Sequence, residues 1–180
     1  MAAGAMLHGT SRLPFGDNRR ALAGFLRDQG VKVILAEFGT QALVMAKLGN
    51  DLDIPVFTYW RGTDASKMLR SAQRVRSYRL MMPRLAGMFS VSRFLLDNLA
   101  AHGVTHPNAH VVPSGVDIAR FTPGDKIPGS FLAVGRMVEK KAPQITLRAF
   151  AKAAQQRDAH LTFIGDGPLL DPCKALARDL

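Results

Sequence analysis

The chain has 180 residues, enough for one ordinary hydrophobic core or for parts of two domains. Hydrophobic residues make up 47 % and charged residues 21 %, which excludes a disordered chain. The 24 lysines and arginines outnumber the 14 acidic residues, and the formal net charge of +10 favours an anionic partner: nucleic acid, anionic lipid or a phosphorylated substrate.

Three further features bear on where the protein works. Cys173 is the single cysteine, so an internal disulfide is excluded and a reducing compartment is expected. No apolar run reaches the length of a membrane span. Residues 1–13 lack the apolar stretch of a signal peptide, so we expect none. These features predict a cytoplasmic location.

Helical and strand-like patterns alternate through the first part of the chain. We predict helices over residues 19–29, 40–48, 67–82 and 92–103, and strands over residues 31–38, 54–60, 87–91 and 110–113. Gly30 is a predicted C-terminal cap, and Thr40 and Ser92 are predicted N-caps. Residues 67–82 are expected to form one long basic helix that carries Lys67, Arg70 and Arg74 on one face.

Prolines and glycines then crowd residues 113–130, which indicates a linker. The alternation resumes with a strand over residues 131–134, a helix that begins at Pro143, a strand over residues 161–164 and a helix over residues 169–180. This order predicts an α/β fold with parallel sheets covered by helices. Ligands of such folds bind beyond the carboxyl ends of the strands.

A basic turn follows the strand that ends at Gly135. Arg136 offers a planar, permanently charged fork, and Lys140 and Lys141 lie just before a predicted helix, whose first N–H groups also favour an anion. The combination is typical of a diphosphate site. The alternative interpretation is a solvated turn that is basic by chance.

Several motifs resemble those of bacterial family-four glycosyltransferases. Residues 134–141, Val-Gly-Arg-Met-Val-Glu-Lys-Lys, are similar to the donor-site motif of that family, and Gly165-Asp166-Gly167-Pro168 follows at a similar spacing. Residues 112–117 are similar to the segment where the chain crosses between domains, and residues 54–66 to the loop that faces the acceptor. The order and spacing of these motifs make the resemblance specific from about residue 31 onwards.

The resemblance implies the GT-B fold, here as two Rossmann-like parallel-sheet segments, both incomplete. Residues 1–112 would be the second part of the N-terminal, acceptor-side domain. Residues 113–130 would be the interdomain linker, and residues 131–180 the first part of the C-terminal, nucleotide-sugar donor domain. The partial chain is expected to be poorly active or inactive by itself.

The implied reaction is a hexosyl-type transfer from a nucleotide-sugar donor to a glycan or lipid-linked acceptor, with retention of configuration, in polysaccharide or glycolipid biosynthesis. The family usually needs no metal, so we expect no metal site and no cofactor. The resemblance gives Arg136 and Lys141 the catalytic role of holding the donor diphosphate. Its other implied contacts are to the donor, by Gly135, Lys140, Gly165, Asp166, Gly167, Ser114 and Gly115, and to the acceptor side, by Arg61, Gly62 and Asp64.

Two positions depart from the family pattern. Arg61 stands where many members have histidine, and a permanently charged guanidinium keeps a donor but does not supply the titrating proton of an imidazole. Ala142 follows the second lysine, where glycine is common.

A different class of function is a non-catalytic basic module that docks on anionic membrane or on nucleic acid. No acidic residue occurs between Asp64 and Asp97, and this window contains seven lysines and arginines. A peripheral contact with the inner face of the membrane is one interpretation, and an ordinary solvated helix face is the other. Nucleic-acid binding is not expected, because aromatic residues make up only 7 % and none alternates with the basic residues.

Overall fold

The computed structural model describes residues 16–180. The chain divides after Val116 into two compact units, which we call unit 1 (residues 16–116 as described) and unit 2 (Asp117–Leu180). The predicted absence of a signal peptide concerns residues that lie outside the described part.

Unit 1 is built on a parallel sheet of four strands in the order β1-β2-β3-β4. Its elements are α1 Gly16–Asp28, β1 Ile34–Glu37, α2 Gly39–Asp51, β2 Val56–Trp60, α3 Ala72–Met81, β3 Gly87–Ser90, α4 Arg93–Ala101 and β4 Ala109–Val111. The prediction of an α/β fold with parallel strands is therefore confirmed. The strands of unit 1 are shorter than predicted, because only part of each apolar run forms ladder hydrogen bonds with a neighbour.

The core of unit 1 forms around one face of β2. Val56, Thr58 and Trp60 alternate along the strand and are at most 1 % exposed. The Trp60 ring meets the Tyr78 ring edge-on, with centroids 4.9 Å apart. A β-carbon added to Gly39 would come within 2.1 Å of the Trp60 ring, so this glycine allows α2 to begin directly against the end of β2.

The structure confirms two of the three predicted helix caps, Ser92 and Gly30, and contradicts the third, Thr40. Ser92 caps α4, since its hydroxyl accepts the Leu95 N–H at 3.4 Å, as predicted. Gly30 adopts a positive φ of 60° after α1, as expected of a C-terminal cap. Thr40 does not cap α2: the helix begins at Gly39, and the Gly39 N–H donates to the buried carboxylate of Asp64 at 2.9 Å.

The predicted long basic helix over residues 67–82 is wrong. The segment forms a 3₁₀ turn, Lys67–Arg70, and then breaks at Ser71, whose backbone is extended. The Ser71 hydroxyl accepts the Arg74 N–H and so starts α3 as a new helix. Because of this break, Lys67, Arg70 and Arg74 do not share one helical face.

Unit 2 contains a parallel pair of strands flanked by helices. The elements are β5 Ser130–Val134, α5 Pro143–Ala154, β6 His160–Ile164 and α6 Leu170–Asp179. Pro143 occupies the first turn of α5, as predicted, and Cys173 is buried on α6. The apolar side chains of Leu132, Val134 and Ile164 are 64 %, 71 % and 55 % exposed, so one sheet face is uncovered.

None of the helices between Gly16 and Leu180 has both the length and the apolar character needed to cross a lipid bilayer.

Candidate functional site

In unit 2, the two loops predicted to bind the donor lie side by side beyond the strand ends. The Gly135 N–H donates to the Ile164 carbonyl at 2.9 Å, and the Met137 N–H donates to the Asp166 carbonyl at 2.8 Å. The Leu169 N–H closes the pairing by donating to the Met137 carbonyl at 3.0 Å. The parallel ladder of β5 and β6 thus continues into the loops, which fixes their position.

Two glycines make this close approach sterically feasible. A β-carbon on Gly165 would lie 1.8 Å from the Gly135 carbonyl oxygen, and one on Gly167 would lie 2.6 Å from the Met137 carbonyl oxygen. Both glycines also have large positive φ values, 155° and 147°, which other residues rarely adopt. The backbone conformation therefore requires glycine at both positions, independently of any ligand that this loop binds.

The cations of the basic turn are exposed to solvent and unpaired among the described residues. Arg136, Lys140 and Lys141 form no ion pair and no side-chain hydrogen bond with any residue that the structure describes. The backbone beneath them is held firmly, because the Lys141 N–H donates to the Val138 carbonyl and Met137 is 2 % exposed. The turn presents free positive charge on an ordered backbone, which suits an anion.

The connection to α5 shows why glycine is common at the position where this chain has Ala142. This residue adopts a left-handed backbone, with φ 49° and ψ 48°, which glycine tolerates better. Its carbonyl accepts the first helical N–H groups, from Ile145 and Thr146. The alanine thus keeps the glycine-type conformation, at a cost in strain, and the basic turn leads directly into the helix N-terminus.

Asp166 lies in the second donor loop, between the two glycines. Its Oδ1 accepts the Gly167 N–H at 2.7 Å, so the carboxylate is turned towards its own backbone. The side chain is exposed. It can accept further hydrogen bonds, because each carboxylate oxygen has more than one acceptor direction.

In unit 1, Asp64 is buried and acts on the backbone. It is 1 % exposed, and its Oδ2 accepts the Gly39 N–H at 2.9 Å while its Oδ1 accepts the Gly62 N–H at 3.0 Å and the Arg61 N–H at 3.3 Å. The carboxylate therefore ties the start of α2 to the loop that follows β2. Its observed role is to shape the predicted acceptor-side loop from within.

Arg61 lies at the centre of a polar cluster at the carboxyl edge of the sheet. Its Nη1 donates to Glu37 Oε1 at 3.2 Å, and its Nη2 donates to Ser114 Oγ at 3.4 Å. The guanidinium carbon lies 5.2 Å from the centroid of the Tyr59 ring. Tyr59 is itself fixed, because its hydroxyl donates to the Val112 carbonyl at 2.6 Å. We call Glu37, Tyr59, Arg61 and Ser114 the Arg61 cluster.

The cluster contains two residues that sequence reasoning missed, Glu37 and Tyr59. Their position at the strand ends was the signal that could have identified them. Glu37 is the last residue of β1, and it pairs in register with Tyr59 on β2. Ser114, predicted to contact the donor, lies beside Arg61, predicted to face the acceptor. Gly62 and Gly115 have open space where a β-carbon would be, although the φ of 151° at Gly62 favours glycine.

Behind this edge, the core holds a perturbed tyrosine. Burial raises the pKa of Tyr78 above its ordinary value of 10.0; Arg74 partly opposes this rise, and Asp64 adds to it. The Tyr78 hydroxyl contacts the Met68 sulfur at 3.7 Å, a weak acceptor. Tyr78 is fully buried, so we assign it to the core rather than to a binding surface.

Among residues 16–180, no three His, Cys, Asp or Glu side chains come close enough together to hold an ion. Independence of the reaction from a metal stays a prediction.

The sequence model of Glycosyltransferase Family 4 matches residues 6–120. The chain belongs to glycosyltransferase family 4. The match includes both loops of the Arg61 cluster and ends before the basic turn of unit 2. A comparison with curated proteins gives no match.

Solved structures support the fold of this family 4 chain. A glycosyltransferase from Rickettsia africae ESF-5 superposes with a TM-score of 0.69 at 16 % identity, covering 94 % of this chain and 48 % of that one. The crystal structure of TarM gives a TM-score of 0.67 at 12 % identity, covering 92 % and 34 %. The apo form of the lipopolysaccharide outer core galactosyltransferase WaaB gives 0.60 at 16 % identity, covering 89 % and 44 %.

These likenesses confirm the predicted GT-B fold class, with its two Rossmann-like parallel-sheet segments. At such low identities they show the fold alone. The chain spans about a third to a half of the length of the structures it matches.

Proposed function

We propose that this family 4 chain carries part of a retaining glycosyltransferase that transfers a sugar, hexosyl in type, from a nucleotide-sugar donor to a glycan or lipid-linked acceptor in polysaccharide or glycolipid biosynthesis. In this proposal, unit 2 binds the donor diphosphate and unit 1 binds the acceptor. The domain boundaries, with a linker over residues 113–130, belong to the same proposal, as does independence from a metal.

One observation carries the proposal: the basic turn of unit 2 has an ordered backbone, and its exposed cations have no ion-pair partner among residues 16–180. Arg136 can bind two phosphate oxygens with its planar fork, and Lys141 can supply a point charge beside the start of α5. Positive charge placed there stabilises the leaving diphosphate as negative charge develops during transfer. Gly165 and Gly167 allow the second loop to pack directly beside the basic turn, so the exposed Asp166 lies next to the diphosphate position and can bind the nucleoside.

Calorimetry with UDP, GDP and uridine tests this assignment. We expect Arg136→Ala and Lys141→Ala each to weaken UDP binding by about tenfold, as loss of a hydrogen bond to a charged group does. Uridine binding should not change, because uridine has no phosphate.

The matched control is Lys152→Ala. Lys152 is also exposed and lies on α5, roughly 14 Å along the helix axis from Pro143. This variant keeps UDP affinity if the basic turn is the site. Equal UDP affinity in the wild type and both turn variants would refute the diphosphate assignment.

A peripheral contact with anionic membrane is proposed for unit 1. Lys67, Arg70, Arg76 and Arg93 are exposed and form no ion pair within the described part of the chain. We expect the wild type to sediment with phosphatidylglycerol vesicles at low salt, and Arg70→Glu/Arg76→Glu to lose this binding. The cytoplasmic location stays an expectation from the single cysteine.

A further inference from the structure

Glu37 was not predicted to be functional, yet it shapes the chemistry of the Arg61 cluster. Its carboxylate is 54 % exposed at the carboxyl end of β1, and only Oε1 is bonded within the described residues, by Arg61. The second oxygen, Oε2, therefore keeps acceptor capacity, and it lies at the carboxyl ends of the strands, where ligands of parallel α/β folds bind. Phe38 follows at once, with an exposed aromatic side chain.

The charge of the cluster is balanced. The Arg61 side chain is only 33 % exposed and is held by Glu37, Ser114 and the Tyr59 ring, so it cannot turn freely towards an incoming anion. An anionic group that reached Arg61 would also meet the carboxylate of Glu37 at close range, and like charges repel strongly near a protein surface. A neutral hydroxyl meets no such penalty, because it can donate to Glu37 and accept from Arg61 or Ser114.

We propose that Glu37 is an acceptor-binding residue that selects neutral sugar hydroxyls at the carboxyl edge of unit 1, and that its pairing with Arg61 excludes a phosphate or carboxylate from this position. The inference rests on the proposed function, since it assumes that unit 1 binds the acceptor. It narrows the acceptor to one that presents a neutral hydroxyl here. Any phosphate of a lipid-linked acceptor must then lie elsewhere.

Two-dimensional ¹⁵N–¹H NMR titration of the full chain tests the proposal. The probes are neutral methyl glycosides of glucose, galactose and mannose, and glucose 1-phosphate as the anionic counterpart. We expect at least one methyl glycoside to shift the amides of Phe38, Gly62 and Ser114, and glucose 1-phosphate to shift them much less. Trp60 fluorescence verifies that each variant has folded.

The Glu37→Gln variant makes the sharper test, because it removes the charge and keeps the shape. We expect it to bind the methyl glycoside about tenfold more weakly, as loss of a hydrogen bond to a charged acceptor does. We also expect it to bind glucose 1-phosphate about tenfold more tightly, because Arg61 is no longer neutralised. A purely structural role of Glu37 would not produce this gain.

The control is Glu139→Gln, which changes the only other glutamate of the chain, an exposed residue of unit 2. It should leave both ligands unaffected at these amides. The proposal is overturned if no methyl glycoside shifts the amides of the cluster at 100-fold excess, or if glucose 1-phosphate binds the wild type there as tightly as the methyl glycoside does. It is equally overturned if Glu37→Gln changes neither affinity.

The same spectra separate this inference from the proposed function. UDP should shift amides of Gly135 and Gly165 in unit 2, whereas a methyl glycoside should shift those of the Arg61 cluster. Loss of the UDP response alone refutes the donor site, and loss of the glycoside response alone refutes the role of Glu37.

Discussion

Asp64→Asn is the substitution with the clearest expected cost, because it changes one atom and disturbs a buried set of hydrogen bonds. The carboxylate accepts from Gly39 on one oxygen and from Arg61 and Gly62 on the other. An asparagine supplies a single acceptor oxygen and puts an amide NH₂ at the second position. That NH₂ faces at least one backbone N–H, so two donors oppose each other.

The magnitude follows from the better of the two amide orientations. With its oxygen towards Gly62, the asparagine loses only the bond to Gly39 and leaves that N–H unpaired at the start of α2. A hydrogen bond to a charged group contributes about 1.5–3 kcal/mol, and a buried unpaired donor costs a similar amount. Because these two quantities describe the same lost bond, we expect a destabilisation of about 2–3 kcal/mol rather than their sum.

Urea unfolding followed by Trp60 fluorescence measures this cost. Trp60 is the only tryptophan and is fully buried in the core of unit 1, so its signal reports that unit. With a slope of roughly 1–1.5 kcal/mol per molar urea, the midpoint should fall by about 2 M. The control Asp97→Asn, at an exposed position of α4, should shift it little. A loss below about 1 kcal/mol for Asp64→Asn would refute the claim that this carboxylate fastens the loop.

The other predictions concern stability in both units. Since the folded pKa of Tyr78 lies above its unfolded value, its contribution to stability is complete below about pH 10 and is lost as the pH rises further, by up to about 1.4 kcal/mol per pH unit. Tyr78→Phe should therefore flatten the alkaline decline of the unfolding free energy, and an unchanged decline would contradict this role of Tyr78. Ala142→Gly should stabilise unit 2 by about 0.5–1 kcal/mol, because relief of the left-handed strain exceeds the entropic cost of glycine. Gly165→Ala should destabilise it by about 2–4 kcal/mol, because the new methyl group overlaps a carbonyl oxygen. The rate at which a thiol reagent labels the buried Cys173 measures how often unit 2 opens. Labelling should be slower in Ala142→Gly and faster in Gly165→Ala, and an unchanged rate in either variant would contradict the corresponding prediction.

The parts of the fold that could be predicted from sequence depend on neighbours along the chain. The alternation of apolar runs located every strand, since a buried parallel strand needs a short continuous apolar segment. Ser92 and Pro143 were recognised because a serine N-cap and a first-turn proline act within one helical turn. In each case the physical cause and its effect lie within a few residues.

The two errors have different causes. Thr40 was a reasonable cap by type, but the role is taken by Asp64, which is 25 residues distant and reaches Gly39 only through the fold. The break at Ser71 had a local signal in the serine itself, which caps the new helix, yet the surrounding residues favour helix, so the long helix was the natural prediction. A tertiary contact thus decided the start of α2, and a local cap outweighed helix propensity at the start of α3.

The two groups of predicted site residues show the same distinction in chemical terms. By resemblance, Arg136 and Lys141 were assigned to the donor diphosphate and Arg61 to the acceptor side, but only the structure shows which of these charges are paired. Arg61 is paired with Glu37, which lies 24 residues earlier and is brought alongside by the register of β1 and β2. Arg136 and Lys141 have no such partner among the described residues. A ligand with two negative charges is therefore better matched by the basic turn of unit 2, and a neutral, hydroxyl-bearing ligand by the Arg61 cluster of unit 1. This division of charge follows the donor and acceptor of a sugar transfer, in which the diphosphate stays with the donor and the attacking group is a hydroxyl.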